Sequence, residues 1–174
     1  RGLRFNFWKR MNEVPSPRFF RRAVARAAMF GWHIKIQCVG DDWLEMKDIL
    51  DGVQIPVVID HLGHVDMTKG YDQPSFRFLL ELLRRDNIWV LVGNGDRRST
   101  KEQGWNDVLP FARAYVEAAP DRCIWASDWP HLGYRKRMPD DVELMELFYR
   151  FAPEPALRQK ILVENPTRLF GFGG

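Results

Sequence analysis

With 174 residues, 45% of them hydrophobic, the chain is long enough to bury a core as one domain without a disulfide framework. Its net charge of +3, from 26 Lys and Arg against 23 Asp and Glu, is small and spread along the chain, which argues against nucleic acid as a partner. No run of about 18 apolar residues and no signal-peptide pattern occurs, so neither a membrane span nor an export signal is expected.

In chain order the pattern alternates strand and helix. Residues 3–7 read as a strand, and 17–30 as a helix closed by Gly31. Arg18, Arg21, Arg22 and Arg26 recur there at helical spacing and are expected to form a solvated face. Residues 32–39 make a second strand, ending at Gly40, and 43–50 a short helix with Asp41 or Asp42 as its N-cap. The third strand spans 56–62, and a loop rich in Gly, Asp and Pro leads to a helix over 75–85. The fourth strand, 88–92, precedes a polar loop over 93–104. A helix over 105–119, a fifth strand over 122–127 and helices over 140–151 and 155–163 complete the chain. Cys38 and Cys123 both sit inside apolar strand-like runs and are expected to be reduced core thiols, which fits a cytoplasmic protein. The first residues are Arg1-Gly-Leu-Arg, without a Met, which points to a trimmed N-terminus.

Two strands share one design. Cys123-Ile-Trp-Ala-Ser-Asp-Trp-Pro-His131 is an apolar run ending abruptly in Asp128, a charge costly to bury unless paired, hydrogen-bonded or solvated. Pro56-Val-Val-Ile-Asp-His-Leu-Gly63 likewise ends in Asp60 and His61 before a Gly turn. Strands finishing in ionisable groups place one shared site at the carboxyl edge of a parallel sheet. Five strands separated by helices call for right-handed parallel β/α units, with no linker and no second domain over residues 1–174. A closed eightfold barrel needs about 250 residues. An open doubly wound sheet would suit the count, but no Gly-rich phosphate loop follows the first strand.

The pieces Arg1-Gly-Leu-Arg-Phe-Asn-Phe, Val58-Ile-Asp-His-Leu-Gly63, Trp125-Ala-Ser-Asp-Trp-Pro-His131 and Glu164-Asn-Pro-Thr-Arg-Leu-Phe170 together resemble the metal-dependent amidohydrolase superfamily. Within it they are most similar to the 2-pyrone-4,6-dicarboxylate hydrolase group. The resemblance implies an α/β fold of the (β/α)8 TIM-barrel type, of which this chain holds the fourth to eighth strands. The opening strand with its His-x-His pair is absent, as expected of the carboxyl-terminal portion of a longer protein.

By the same resemblance Asp128 is the general base toward a hydrolytic water, and His61 coordinates a metal or polarises the carbonyl under attack. Arg4, Arg10 and Arg97 fall where carboxylate-binding arginines stand, with Arg98 as the alternative to Arg97. The chain departs from the group at Gln37, in place of a tyrosine, and at His64, in place of a substrate arginine. His131 is expected either to line the site or to pack on Trp129, and His33 to be structural.

The expected function is hydrolysis of a small anionic substrate, a lactone bearing carboxylates. The cofactor is none or one divalent metal, zinc or manganese, because His61 and Asp128 alone supply too few ligands for a tight zinc site. The alternatives are a zinc-dependent non-oxidative decarboxylase of the same superfamily and a non-catalytic truncated barrel. Open edges on the first and fifth strands would then favour self-association.

Overall fold

The computed structural model describes residues 1–9, 13–134 and 136–172. Five strands, β1 (Gly2–Asn6), β2 (His33–Gln37), β3 (Val57–Ile59), β4 (Ile88–Leu91) and β5 (Cys123–Ile124), form one sheet in the order β1-β2-β3-β4-β5. Every neighbouring pair is parallel. Sequential order with parallel pairing is the arrangement of consecutive staves of a β/α barrel, since an open doubly wound sheet reverses direction at a switch point.

The helical segments are α1 (Pro17–Met29), α2 (Met46–Leu50), α3 (Pro74–Leu82), α4 (Gly95–Arg98), α5 (Leu109–Ala118), α6 (Asp141–Phe151), α7 (Pro155–Gln159) and α8 (Asn165–Phe170). Their ends follow local chemistry. Ser16 caps α1 by accepting from the Phe19 amide, with Pro17 at the first helical position. Asp140 and Glu143 form a reciprocal capping box on α6. The four arginines of the first helix are exposed, as expected.

Strand alternation splits the core. Ile34, Ile36, Val57, Ile59, Ile88 and Val90 pack toward the helices, around a buried cluster that includes Phe20, Trp43, Phe76 and Tyr115. Val58, Trp89, Leu91 and Ile124 face the other way and are covered by Leu169 and Phe170 of α8. Register puts Arg4, Lys35, Val58 and Trp89 side by side across this inner face. Its amino-terminal half is therefore apolar and plugged, while its carboxyl end is polar and open. His33 lies at the plugged end against the Phe170 ring, a structural position as expected.

Several expected boundaries are corrected. The third strand stops at Ile59 rather than 62, because His61, Leu62 and His64 adopt left-handed backbone and turn the chain over the strand end. The fifth strand has two paired residues, not six. Beyond Ile124 the chain lies so close to Gly93 that a Cβ there would run into the Ala126 carbonyl oxygen. Asp41 and Asp42 do not cap a helix; both lie inside a 3-10 turn, Gly40–Glu45, that precedes α2. The last expected helix continues through a π-helical turn, Lys160–Glu164, into α8. There Asn165 donates to the carbonyls of Pro120 and Cys123, both at 2.8 Å, and so fixes the start of β5.

Candidate active site

The carboxyl ends of β1, β2, β3, β4 and β5 converge on a cavity of about 780 Å³, lined by Arg4, Gln37, His61, Asn94, Arg97 and Asp128 among others. That volume suits a small organic ligand. Seven non-glycine residues have positive φ among the described residues, and four of them, His61, His64, Asn94 and Asp128, line this cavity. Left-handed backbone at non-glycine residues costs free energy and concentrates at functional sites. Here the surroundings enforce it. The His61–His64 turn is held from behind by the Trp43 indole, which donates to the Gly63 carbonyl at 2.6 Å, and by the Tyr115 hydroxyl, which donates to Leu62 at 3.1 Å.

Asp60 is wholly buried beneath the site. Its Oδ2 accepts from Arg4 Nε at 3.0 Å and a second Arg4 nitrogen at 2.7 Å, and Lys35 Nζ stands 3.3 Å from Oδ1. A buried carboxylate without such partners would be severely destabilising. Arg4 thus reaches the cavity, as the sequence anticipates, while two of its nitrogens already hold Asp60. Arg10 lies outside the described residues.

Asp128 and His61 do come together. His61 Nε2 is 3.9 Å from Asp128 Oδ1 and 3.5 Å from Asp60 Oδ2. Burial pushes the His61 imidazole down from its ordinary range, against the opposite pull of Asp60 and Asp128. The Asp128 carboxylate is about one-third exposed, open to water in the cavity. Arg97 stands 3.2 Å from its Oδ2, donates to the Leu132 carbonyl at 3.0 Å, and lies over the Tyr134 ring. Arg98 lines the cavity too, so both registers of the expected arginine are present.

The sequence reading missed Asn94, Lys35 and Lys136. Asn94 is buried between the two central groups, its Nδ2 2.8 Å from His61 Nδ1 and 3.0 Å from Asp128 Oδ2. The signal was present: Val92-Gly-Asn-Gly95 is another strand ending in a polar residue before a Gly turn. His64, noted as a departure, is buried beside Gln37, whose Nε2 is 3.4 Å away. Burial above all, then His61, Arg98, Arg4 and Arg97, pushes its imidazole down to about 2. His131 does neither of the things anticipated. It is buried 3.3 Å from Asp141, while Trp129 is three-quarters exposed.

A divalent metal does not fit the described residues. No three His, Cys, Asp or Glu side chains among them assemble as a metal site. Asp60 is held by Arg4 and Lys35, His61 Nδ1 faces the Asn94 amide, and Arg97 sits against Asp128. His61 and Asp128 are two donors, where zinc takes three or four.

A parallel β/α face whose strand ends gather a histidine, an aspartate and several arginines is the end of a β/α barrel at which active sites form. The chain belongs to the amidohydrolase family, which it matches over residues 1–172. It is 41% identical over 174 residues to a 4-sulfomuconolactone hydrolase of Rhizobium radiobacter, covering 98% of this chain and 58% of that protein. It is 37% identical over 179 residues to a 2-pyrone-4,6-dicarboxylate hydrolase of Comamonas testosteroni, covering 98% and 59%. Identity to a D-galactarolactone isomerase of Agrobacterium fabrum is 33% over 147 residues, covering 83% and 50%. A solved apo structure from Agrobacterium tumefaciens superposes with a TM-score of 0.82 at 29% identity, covering 98% of this chain and 61% of its own. The chain thus spans less than two thirds of the length of these relatives, in keeping with five β/α units of the TIM barrel its structural neighbours form. No helix among the described residues is long and apolar enough to cross a membrane.

Proposed function

We propose that the protein hydrolyses a small lactone bearing carboxylate or sulfonate groups. The observation that carries this reading is Asp128, a water-accessible carboxylate held at the mouth of a cavity whose other charged groups are mostly cationic. In the proposed reaction a water attacks the lactone carbonyl as Asp128 takes its proton. His61, neutral through burial, stabilises the tetrahedral oxyanion. The ester C–O bond then breaks, and the ring oxygen leaves with the proton returned by Asp128.

Arg97 and Arg98 orient the anionic substituents by charge-assisted hydrogen bonds, with Arg4 adding the nitrogen not engaged by Asp60. Similarity to two lactone hydrolases supports the reaction class. We assign a cytoplasmic setting on the two buried free cysteines, Cys38 and Cys123.

The test is ring opening of 2-pyrone-4,6-dicarboxylate and 4-sulfomuconolactone, followed by ultraviolet absorbance and proton release. Loss of a positioned base lowers kcat by roughly a hundred- to ten-thousand-fold. Asp128→Asn retaining activity within tenfold of the parent would sink the assignment, and a rearranged lactone as product would replace hydrolysis by isomerisation.

A further inference from the structure

We infer that Asn94 is a positioning residue that couples Asp128 to His61 and fixes the His61 ring with its proton on Nε2, so that His61 meets the substrate as a hydrogen-bond donor. The role in turnover rests on the proposed hydrolysis; the proton's location does not.

What each atom can donate or accept fixes the orientation of both groups. Asn94 Nδ2 is 3.0 Å from Asp128 Oδ2. An ionised carboxylate only accepts, so the amide nitrogen, not the amide oxygen, must face it. The opposite orientation would set two oxygens against each other. The same nitrogen, with a second N–H to give, lies 2.8 Å from His61 Nδ1 and 3.5 Å from Nε2. The shorter contact makes Nδ1 the acceptor, and in a neutral ring the proton goes to Nε2.

The other end of the ring gives the same answer independently. Nε2 is 3.5 Å from Asp60 Oδ2, 3.9 Å from Asp128 Oδ1 and 3.5 Å from Asn94 Nδ2; the two carboxylates favour an N–H there over a lone pair by their charge, without hydrogen-bonding it, and leave it free for a substrate oxygen. The Asn94 carbonyl oxygen is buried without a hydrogen-bond partner among the described residues. An unsatisfied buried carbonyl calls for an explanation, and the Asp128 carboxylate, which fixes the amide nitrogen toward itself, supplies one. The left-handed backbone of Asn94, φ 62°, is what carries its side chain between the two groups.

Long-range proton–nitrogen NMR on the protein reads the assignment directly. The chain has only four histidines, and His61 is identified by loss of its signals in His61→Gln. The expected pattern is a neutral ring protonated at Nε2; a ring protonated at Nδ1 overturns the inference whether or not any lactone is hydrolysed. In kinetics, Asn94→Gly keeps a residue content with φ 62° while deleting the amide. We expect kcat to fall about a hundredfold, as for a misplaced catalytic group, with KM within threefold. A kcat within threefold of the parent, or a loss confined to KM, rejects the positioning role. If the parent hydrolyses no lactone while the ring is protonated at Nε2, the hydrolase reading fails and the tautomer assignment is upheld.

Discussion

Arg4 separates a structural role from a substrate-binding one, and Arg4→Gln measures both. The resemblance to pyrone dicarboxylate hydrolases assigns Arg4 to a substrate carboxylate, but in the fold two of its nitrogens hold Asp60, at 3.0 and 2.7 Å. Hydrogen bonds to a charged group contribute about 1.5–3 kcal/mol each when lost from a buried partner. Two corrections lower the sum. The Arg4 side chain is 51% exposed, so solvent screens it, and Lys35 at 3.3 Å still faces the buried carboxylate after the substitution. The expected cost is about 2 kcal/mol, which for a chain of this size lowers the thermal midpoint by roughly 4–8 °C. Circular dichroism melts and urea titrations at neutral pH give the stability, and lactone assays give KM. A midpoint shift under about 1 °C would refute the claim that Arg4 neutralises Asp60. A fall in midpoint with an unchanged KM would instead remove Arg4 from the substrate site.

His64 makes the fold acid-sensitive. Its native imidazole is pushed to about 2 while the unfolded one titrates at about 6.5, so acid favours the unfolded state throughout that window. Stability should fall as pH drops below about 6.5, by up to about 1.4 kcal/mol per unit from His64 alone. Urea titrations of His64→Gln should show a shallower slope between about pH 6 and 4; an unchanged slope would contradict burial of a neutral ring. Gly93→Ala should lower the thermal midpoint and kcat together, because its Cβ would collide with the Ala126 carbonyl oxygen and displace the neighbouring Asn94. A parent-like midpoint would show that the β4–β5 approach is looser than described. The outer edges of β1 and β5 pair with no strand among the described residues, so the 174-residue chain on its own is expected to self-associate. A clean monomer by light scattering would count against that.

The sheet was legible because parallel strands buried on both faces read as continuous β-branched runs. Ile88-Trp-Val-Leu and Pro56-Val-Val-Ile stand out at once, and the ionisable ends of the 56–63 and 123–131 runs located the site. Strand ends were less legible. Whether Leu62 continues β3 depends on the Trp43 and Tyr115 hydrogen bonds to the carbonyls of the turn, contacts about 20 and 53 residues distant in sequence. The brevity of β5 depends on its approach to Gly93, again a property of two segments together. Asp128 and His61 could be picked out because each is an ionisable residue at the end of an apolar run. Arg4 was expected to meet a substrate carboxylate, and no local pattern announces that it would hold a carboxylate of its own chain. Lys35 alternates with Ile34 and Ile36 as any half-exposed strand residue would, and only register across β1, β2 and β3 brings it to Asp60.

That register also gathers cations at one place in a chain whose net charge is only +3. Arg4 and Lys35 converge on Asp60, and Arg97 stands beside Asp128, so three cations meet two carboxylates at the site. Arg98 and Lys136 line the same cavity with no carboxylate within 4.0 Å among the described residues, Lys136 donating instead to the Ser99 carbonyl at 2.5 Å. Burial lowers the affinity of Arg98 for its proton, which measures how poorly its surroundings solvate the charge. An anionic substituent entering the cavity relieves that cost, while a neutral lactone does not. Discrimination should therefore fall with each anionic group removed from the substrate, and the salt dependence of kcat/KM should fall with it, since fewer unscreened cations are engaged.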